Sequence, residues 1–157
     1  MMENNDPIGV AVLDYLQGNK DAEILVENNL ADDDVITVGY LFRREGEMPE
    51  LEQLALRLCK GKVLDVGAGA GCHSLALQEK GLEVTALDVS AGAVEAMRQQ
   101  GVRQVLHEDV FALQNQQFDT LLMLMNGIGI TGSLAGLERF LEHAKALLRP
   151  GGQILLE

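Results

Sequence analysis

From Met48 to Glu157 short apolar runs alternate with amphipathic stretches, and this alternation limits the available folds more than any other feature of the chain. The apolar runs are Val63–Val66, Val84–Leu87, Val102–Leu106, Phe118–Met125 and Ile154–Leu156. Helical patterns fall between them at Gly71–Lys80, Ser90–Gln100 and Ser133–Leu148. Strand, crossover helix and strand repeated in this way make parallel βαβ units. Phe118–Met125 is apolar almost throughout, as a strand buried on both faces requires. A further helix opens near Pro49, with Leu51, Leu54, Ala55 and Leu58 as its expected buried stripe. In the last helix the expected stripe is Leu134, Leu137, Leu141, Ala144 and Leu148. The expectation is an α/β fold: a doubly wound, mostly parallel sheet of about five strands with helices on both faces.

Residues 1–47 read differently. Ile8, Ala11, Val12, Tyr15 and Leu16 share one face at helical spacing, with Asp6 as N-cap and Pro7 at the first position. Gly18-Asn19 ends that helix. Ala31–Glu47 is an acidic run followed by an apolar-aromatic patch, expected to be a solvated loop that tucks a few side chains onto the core. The chain therefore divides into an N-terminal helical segment (1–47) and an α/β domain (48–157).

Charge and composition exclude several classes. Twelve basic against twenty-four acidic residues leave a net charge of −12, which opposes a phosphate backbone, and no Lys/Arg cluster relieves it. Nucleic acid is thus not an expected partner. Cys59 and Cys72 have neither metal-ligand nor redox spacing and the three histidines are scattered, so no metal site is expected. The start MMENNDPIGV has no basic or apolar signal-peptide region. No apolar run approaches the roughly 20 residues that cross a bilayer. The expected location is the cytoplasm, with no membrane partner.

The strongest local signal is VLDVGAGAG, Val63 to Gly71: a strand, then a glycine-rich turn, then a helix. Glycines let a ligand approach the backbone, and the following helix N-terminus offers unpaired N–H groups to an anionic end. The glycines stand at 67, 69 and 71, a GxGxG pattern; the dinucleotide fingerprint GxGxxG would need glycine where Cys72 stands. Asp65 lies two residues before the first glycine. Asp88 ends the next apolar run, about 20 residues on, where an acid accepts both hydroxyls of a ribose. Glu108-Asp109 follows the third run. Ligands of open α/β sheets bind at such carboxyl ends of the strands.

The runs VLDVGAGAGCHSLAL, ALDVS, HEDVF, FDTLLMLMNGIGI and LLRPGGQILLE together resemble the class I S-adenosylmethionine-dependent methyltransferases, over about Lys60 to Glu157. The resemblance implies a Rossmann-like fold and S-adenosylmethionine as cofactor. It gives the methionine end to Asp65 and the loop Gly67, Ala68, Gly69 and Gly71. Asp88 would hold the ribose hydroxyls with Val89 against the adenine. Asp109 would accept from the adenine amino group, with the Val110 N–H at the ring, and Asn126 would face the transferred methyl. The N-terminal segment, folded over the cofactor as a lid, would bring Tyr40, Phe42 and Arg43 to the acceptor, Arg43 pairing with an anionic substrate or the methionine carboxylate.

Met125-Asn126-Gly127-Ile128 departs from the Asn/Asp-Pro-Pro-aromatic signature of methyltransferases that act on base or glutamine amino groups. The expected acceptor is a small molecule, and no general base is identifiable. The family's sheet normally has seven strands, whereas this chain stops on its apparent fifth. A piece of a longer enzyme is the expectation; a second copy covering the exposed sheet edge is the alternative. Two other functions compete: a nicotinamide-dependent oxidoreductase, which gives Asp109 no role, and a cofactor-binding fragment that transfers nothing.

Overall fold

The structure, a computed structural model, describes residues 5–125 and 127–157. Helix α1 (Pro7–Leu16) comes first, followed by an antiparallel hairpin of β1 (Glu23–Val26) and β2 (Asp34–Thr37). Two short 3-10 turns lead to α2 (Glu50–Leu58). The main domain then runs β3 (Lys62–Val66), α3 (Cys72–Glu79), β4 (Glu83–Asp88), α4 (Ala91–Gln100), β5 (Val105–His107), β6 (Phe118–Met123), α5 (Leu134–Leu147) and β7 (Leu148–Leu156). The five strands form one sheet in the order β5-β4-β3-β6-β7, and every neighbouring pair is parallel. The order reverses between β3 and β6, so a crevice opens beyond their carboxyl ends.

Alternation along the strands builds the two layers. Leu64 and Val66 of β3, with Leu121 and Met123 of β6, pack against Phe140, Ala144 and Leu147 of α5. Val63 and Leu122 face the opposite way, onto Leu56 of α2 and Ala76 and Leu77 of α3. Ala86 of β4 takes Val94 and Met97 of α4 on that second side. The doubly wound α/β expectation therefore holds.

Several local expectations do not. In α2, Leu51, Leu54 and Leu58 are exposed, and Leu56 and Glu52 are buried instead. Leucines lie on both arcs of this helix, so periodicity alone does not choose between them. Glu52, one turn before Leu56, is drawn inward by two basic side chains and turns the helix with it. In α5, Leu134 and Leu141 are exposed, and the buried stripe is Gly136, Phe140, Ala144 and Leu147. A Cβ at Gly136 would lie 1.7 Å from the Thr131 carbonyl oxygen, so only glycine permits that approach.

β5 begins at Val105 rather than Val102, because the Val102 N–H closes the end of α4 on the Met97 carbonyl. β7 begins at Leu148, well before the apolar run Ile154–Leu156, and Pro150-Gly151-Gly152 forms an irregularity inside it: Phe118 pairs with Leu148, but Thr120 pairs with Gln153. Residues 34–37 are a strand, not solvated loop, and the N-terminal segment is a helix plus a hairpin. Asp119 is structural, accepting from the Lys62 N–H (2.7 Å) and Arg149 (2.9 Å). His143 is half-buried, and its Nε2 lies 2.8 Å from the Val110 carbonyl. Among the described residues no helix is long and apolar enough to cross a membrane.

Candidate cofactor and acceptor site

The glycine turn leaves β3 and is tied to β4: the Gly67 and Ala68 N–H groups both donate to the Leu87 carbonyl, at 2.8 and 3.1 Å. Gly67, Gly69 and Gly71 have φ of +70°, +58° and +87°, conformations that cost other residues strain. Their surroundings separate their tasks. A Cβ at Gly71 would press on Met97 and Val102, so this glycine lets α3 and α4 pack together. A Cβ at Gly67 or Gly69 would meet no protein atom within 4 Å, so there the bare backbone faces open space.

Asp88, at the end of β4, braces the turn. Its Oδ2 accepts from the Gly69 N–H at 2.8 Å, and its Oδ1 from the Ser90 N–H at 2.9 Å. Each oxygen keeps a second lone pair. Asp65, one residue before the end of β3 and paired in register with Ala86, is 2% exposed and accepts from the Ser74 hydroxyl at 2.7 Å. Burial pushes its carboxyl above the usual range, with the Asp88 charge adding to it, while His73 and Ser74 pull the other way. A carboxylate in that position is stabilised by a nearby cation.

A second cluster lies against it. Glu52 Oε2 accepts from Arg43 Nη2 at 2.5 Å and lies 2.7 Å from His73 Nε2, with all three residues buried. Burial by itself would lower the His73 pKa, but Cys72, Asp65 and Glu52 outweigh it and hold it up at about 9. Glu52 is itself held below its ordinary range: burial opposes this and is overcome by His73 and Arg43.

The cluster redirects Arg43, expected at the acceptor. Its Nη2 is taken by Glu52 and its Nη1 by the Tyr40 carbonyl at 2.8 Å, and the residue is only 6% exposed. Tyr40 lies under that guanidinium, and Phe42 stacks on Tyr15 at 4.7 Å between ring centroids.

A cavity of about 740 Å³ opens beyond the strand ends, in the crevice where the sheet order reverses. Asp65, Gly67, Ala68, Gly69, Asp88 and Val89 line it, together with His73. Gly71, Asp109, Val110, Tyr40, Phe42 and Arg43 are not in its wall. Asp109 lies two residues past β5, its Oδ1 accepting from the Phe111 N–H at 2.9 Å, and Val110 is fully buried. Asn126 lies outside the described residues.

Sequence reasoning missed Glu52, hidden among leucines, and the hairpin residues that join the cavity wall. It placed Asp6 only as a helix cap. Asp6 does accept from the Gly9 N–H (2.9 Å), but it also accepts from the Ser90 hydroxyl (2.9 Å) and the Gly92 N–H (3.0 Å), fastening α1 across the N-terminus of α4 beside Asp88. Burial works against its charge, yet these bonds hold its carboxyl below the ordinary range.

A parallel sheet with this reversal, a glycine turn over open space and acids at adjacent strand ends define a nucleoside-cofactor α/β protein. A family model described as a methyltransferase domain matches residues 63–152, and the chain belongs to that family, the class I S-adenosylmethionine-dependent methyltransferases. Among solved structures it is similar to a SAM-dependent methyltransferase from Bacteroides fragilis in complex with S-adenosyl-L-homocysteine. That match has 45% identity and a TM-score of 0.89, covering 95% of this chain and 62% of that one. A glycopeptide N-methyltransferase complexed with S-adenosylmethionine matches at 26% identity and a TM-score of 0.58, over 68% of this chain and 48% of that one. Ribosomal RNA small subunit methyltransferase C of Klebsiella pneumoniae is 42% identical over 97 residues, 57% of this chain. The chain spans 27% of that relative's length and 62% of the Bacteroides protein's.

Proposed function

We propose that this protein transfers a methyl group from S-adenosylmethionine to a small-molecule acceptor. The observation that carries the reading is the convergence of Asp65, the bare Gly67–Gly69 backbone and Asp88 on one cavity where the sheet order reverses. The residues fit the cofactor. Asp88 has lone pairs left for two ribose hydroxyls, with Val89 beside it for the adenine. Asp65, buried and held by Ser74, complements the methionine ammonium, and the turn admits the chain between them. Asp109 and the Val110 N–H, past the neighbouring strand, are assigned to the adenine edge, and Asn126 to the methyl end.

The bound sulfonium would supply an already activated methyl, so the chain's task is to hold the acceptor in line with it and to keep water out. The small-molecule part rests on charge: the net charge is −12, and no Lys or Arg stands among the described residues that line the cavity. The match to the ribosomal RNA enzyme falls within 97 residues and says nothing of the rest of that enzyme. The GxGxG spacing favours this cofactor over a nicotinamide dinucleotide.

Isothermal titration with S-adenosylhomocysteine tests the reading. Asp88→Ala is expected to weaken binding by about 1–3 kcal/mol, the cost of losing charge-assisted hydrogen bonds. Undiminished affinity in that variant would contradict the placement of the ribose, and no binding at millimolar ligand would remove the proposal.

A further inference from the structure

Beyond the cofactor half, the cavity has a second wall of different chemistry. Ile24, Val26, Ile36 and Leu41 come from the N-terminal segment, and Met125 and Ile130 from the region after β6. Ile24 and Ile36 are direct cross-strand partners in the hairpin, and Val26 follows Ile24 by two residues. Because side chains alternate along a strand, these three share the face turned to the cavity, while Leu25 and Val35 point away. Val26, Met125 and Ile130 remain 37–40% exposed, so apolar surface is gathered at one opening rather than scattered.

The charges around this wall have one dominant sign. Asp6, Asp65 and Asp88 line the cavity, and the connection between β1 and β2 carries Glu27, Asp32 and Asp33. The one basic side chain in the described wall, His73, is engaged with Glu52. With Asp65 and Asp88 given to the cofactor, an anion entering here still meets Asp6 and the acidic β1–β2 connection, and no Lys or Arg stands in the described wall to receive it.

We infer that this wall is the acceptor subsite, and that it takes an apolar-bodied small molecule whose polar end is uncharged or cationic, excluding carboxylates and phosphates. The inference rests on the methyltransferase reading and assigns its acceptor class. The hairpin is then the specificity element, placing Ile24, Val26 and Ile36 where Tyr40, Phe42 and Arg43 were expected.

The test uses the protein saturated with S-adenosylhomocysteine and three probes: para-butylphenol, para-butylbenzylamine and para-butylbenzoate. Binding is read by titration calorimetry or saturation-transfer NMR. The phenol and the amine are expected to bind, and the benzoate to bind roughly tenfold more weakly or worse. Ile36→Asp is expected to weaken the phenol by roughly tenfold or more, the equivalent of one buried aliphatic side chain. Val35→Asp, on the opposite face of the same strand, is expected to leave it unchanged, and S-adenosylhomocysteine affinity in both variants controls for folding. Equal binding of all three probes, or equal effects of Ile36→Asp and Val35→Asp, overturns the inference while leaving the cofactor site standing. Failure of S-adenosylhomocysteine itself to bind overturns the functional proposal and this inference with it.

Discussion

Glu52→Gln is the substitution whose consequences can be worked furthest. The side chain keeps its size but loses its charge between two buried basic groups, Arg43 at 2.5 Å and His73 at 2.7 Å. Arg43 cannot give up its proton and is 6% exposed, so its charge is left in the interior without a counter-charge. Removing one partner from a buried pair costs about 3–5 kcal/mol, a large share of the stability of a domain this size.

The pH dependence carries a second signature. His73 titrates near 9 in the folded protein and near its ordinary value when unfolded. Between those values the native state holds the extra proton, so this contribution is complete below about pH 6.5 and is lost as the pH rises toward 9. Without the Glu52 carboxylate, His73 releases its proton at lower pH, and the variant loses less over the window. Urea unfolding followed by circular dichroism across that range measures both effects. A loss below about 1 kcal/mol, or a pH profile parallel to that of the unsubstituted protein, would show that the cluster does not hold its charges as described.

Two further outcomes follow from the geometry. In Gly92→Ala, the added methyl would stand 2.4–2.6 Å from Gly9 backbone atoms, which cannot turn aside as a side chain would. α1 must shift, Asp6 loses its hold on Gly92 and Ser90, and overpacking of this kind costs about 1–3 kcal/mol. Hydrogen exchange should rise across Pro7–Leu16; unchanged protection would mean the helices can separate without cost. Asp119 is held below the ordinary carboxylate range, first by the Lys62 N–H, with Arg149 adding to it and burial opposing. Its stabilisation is present above that range and lost as the pH falls through the lowered pKa. Thermal melts in acid should therefore fall more steeply for the native protein than for Asp119→Asn, and coincident slopes would refute the assignment.

The pattern of residues along the chain was sufficient for the five strands of the main sheet, the crossover helices, the glycine turn and the two acids that line the cavity. Each rests on local rules: alternation at period two or 3.6, a backbone that only glycine tolerates, an acid at a strand's end. What local rules could not settle was direction and partnership. The leucines of α2 satisfy helical periodicity on two arcs, and only Arg43 and His73, nine and twenty-one residues away and outside the helix, decide that Glu52 turns inward. Arg43 reads as a free cation until folding brings Glu52 to it. EILV and DVIT are too short to announce a hairpin, and Ile24, Val26 and Ile36 become a wall only when Asp6 fastens α1 over Ser90 and Gly92, more than eighty residues away. Such pairings cost chain entropy that no short window records, and they form because the whole core brings their ends together.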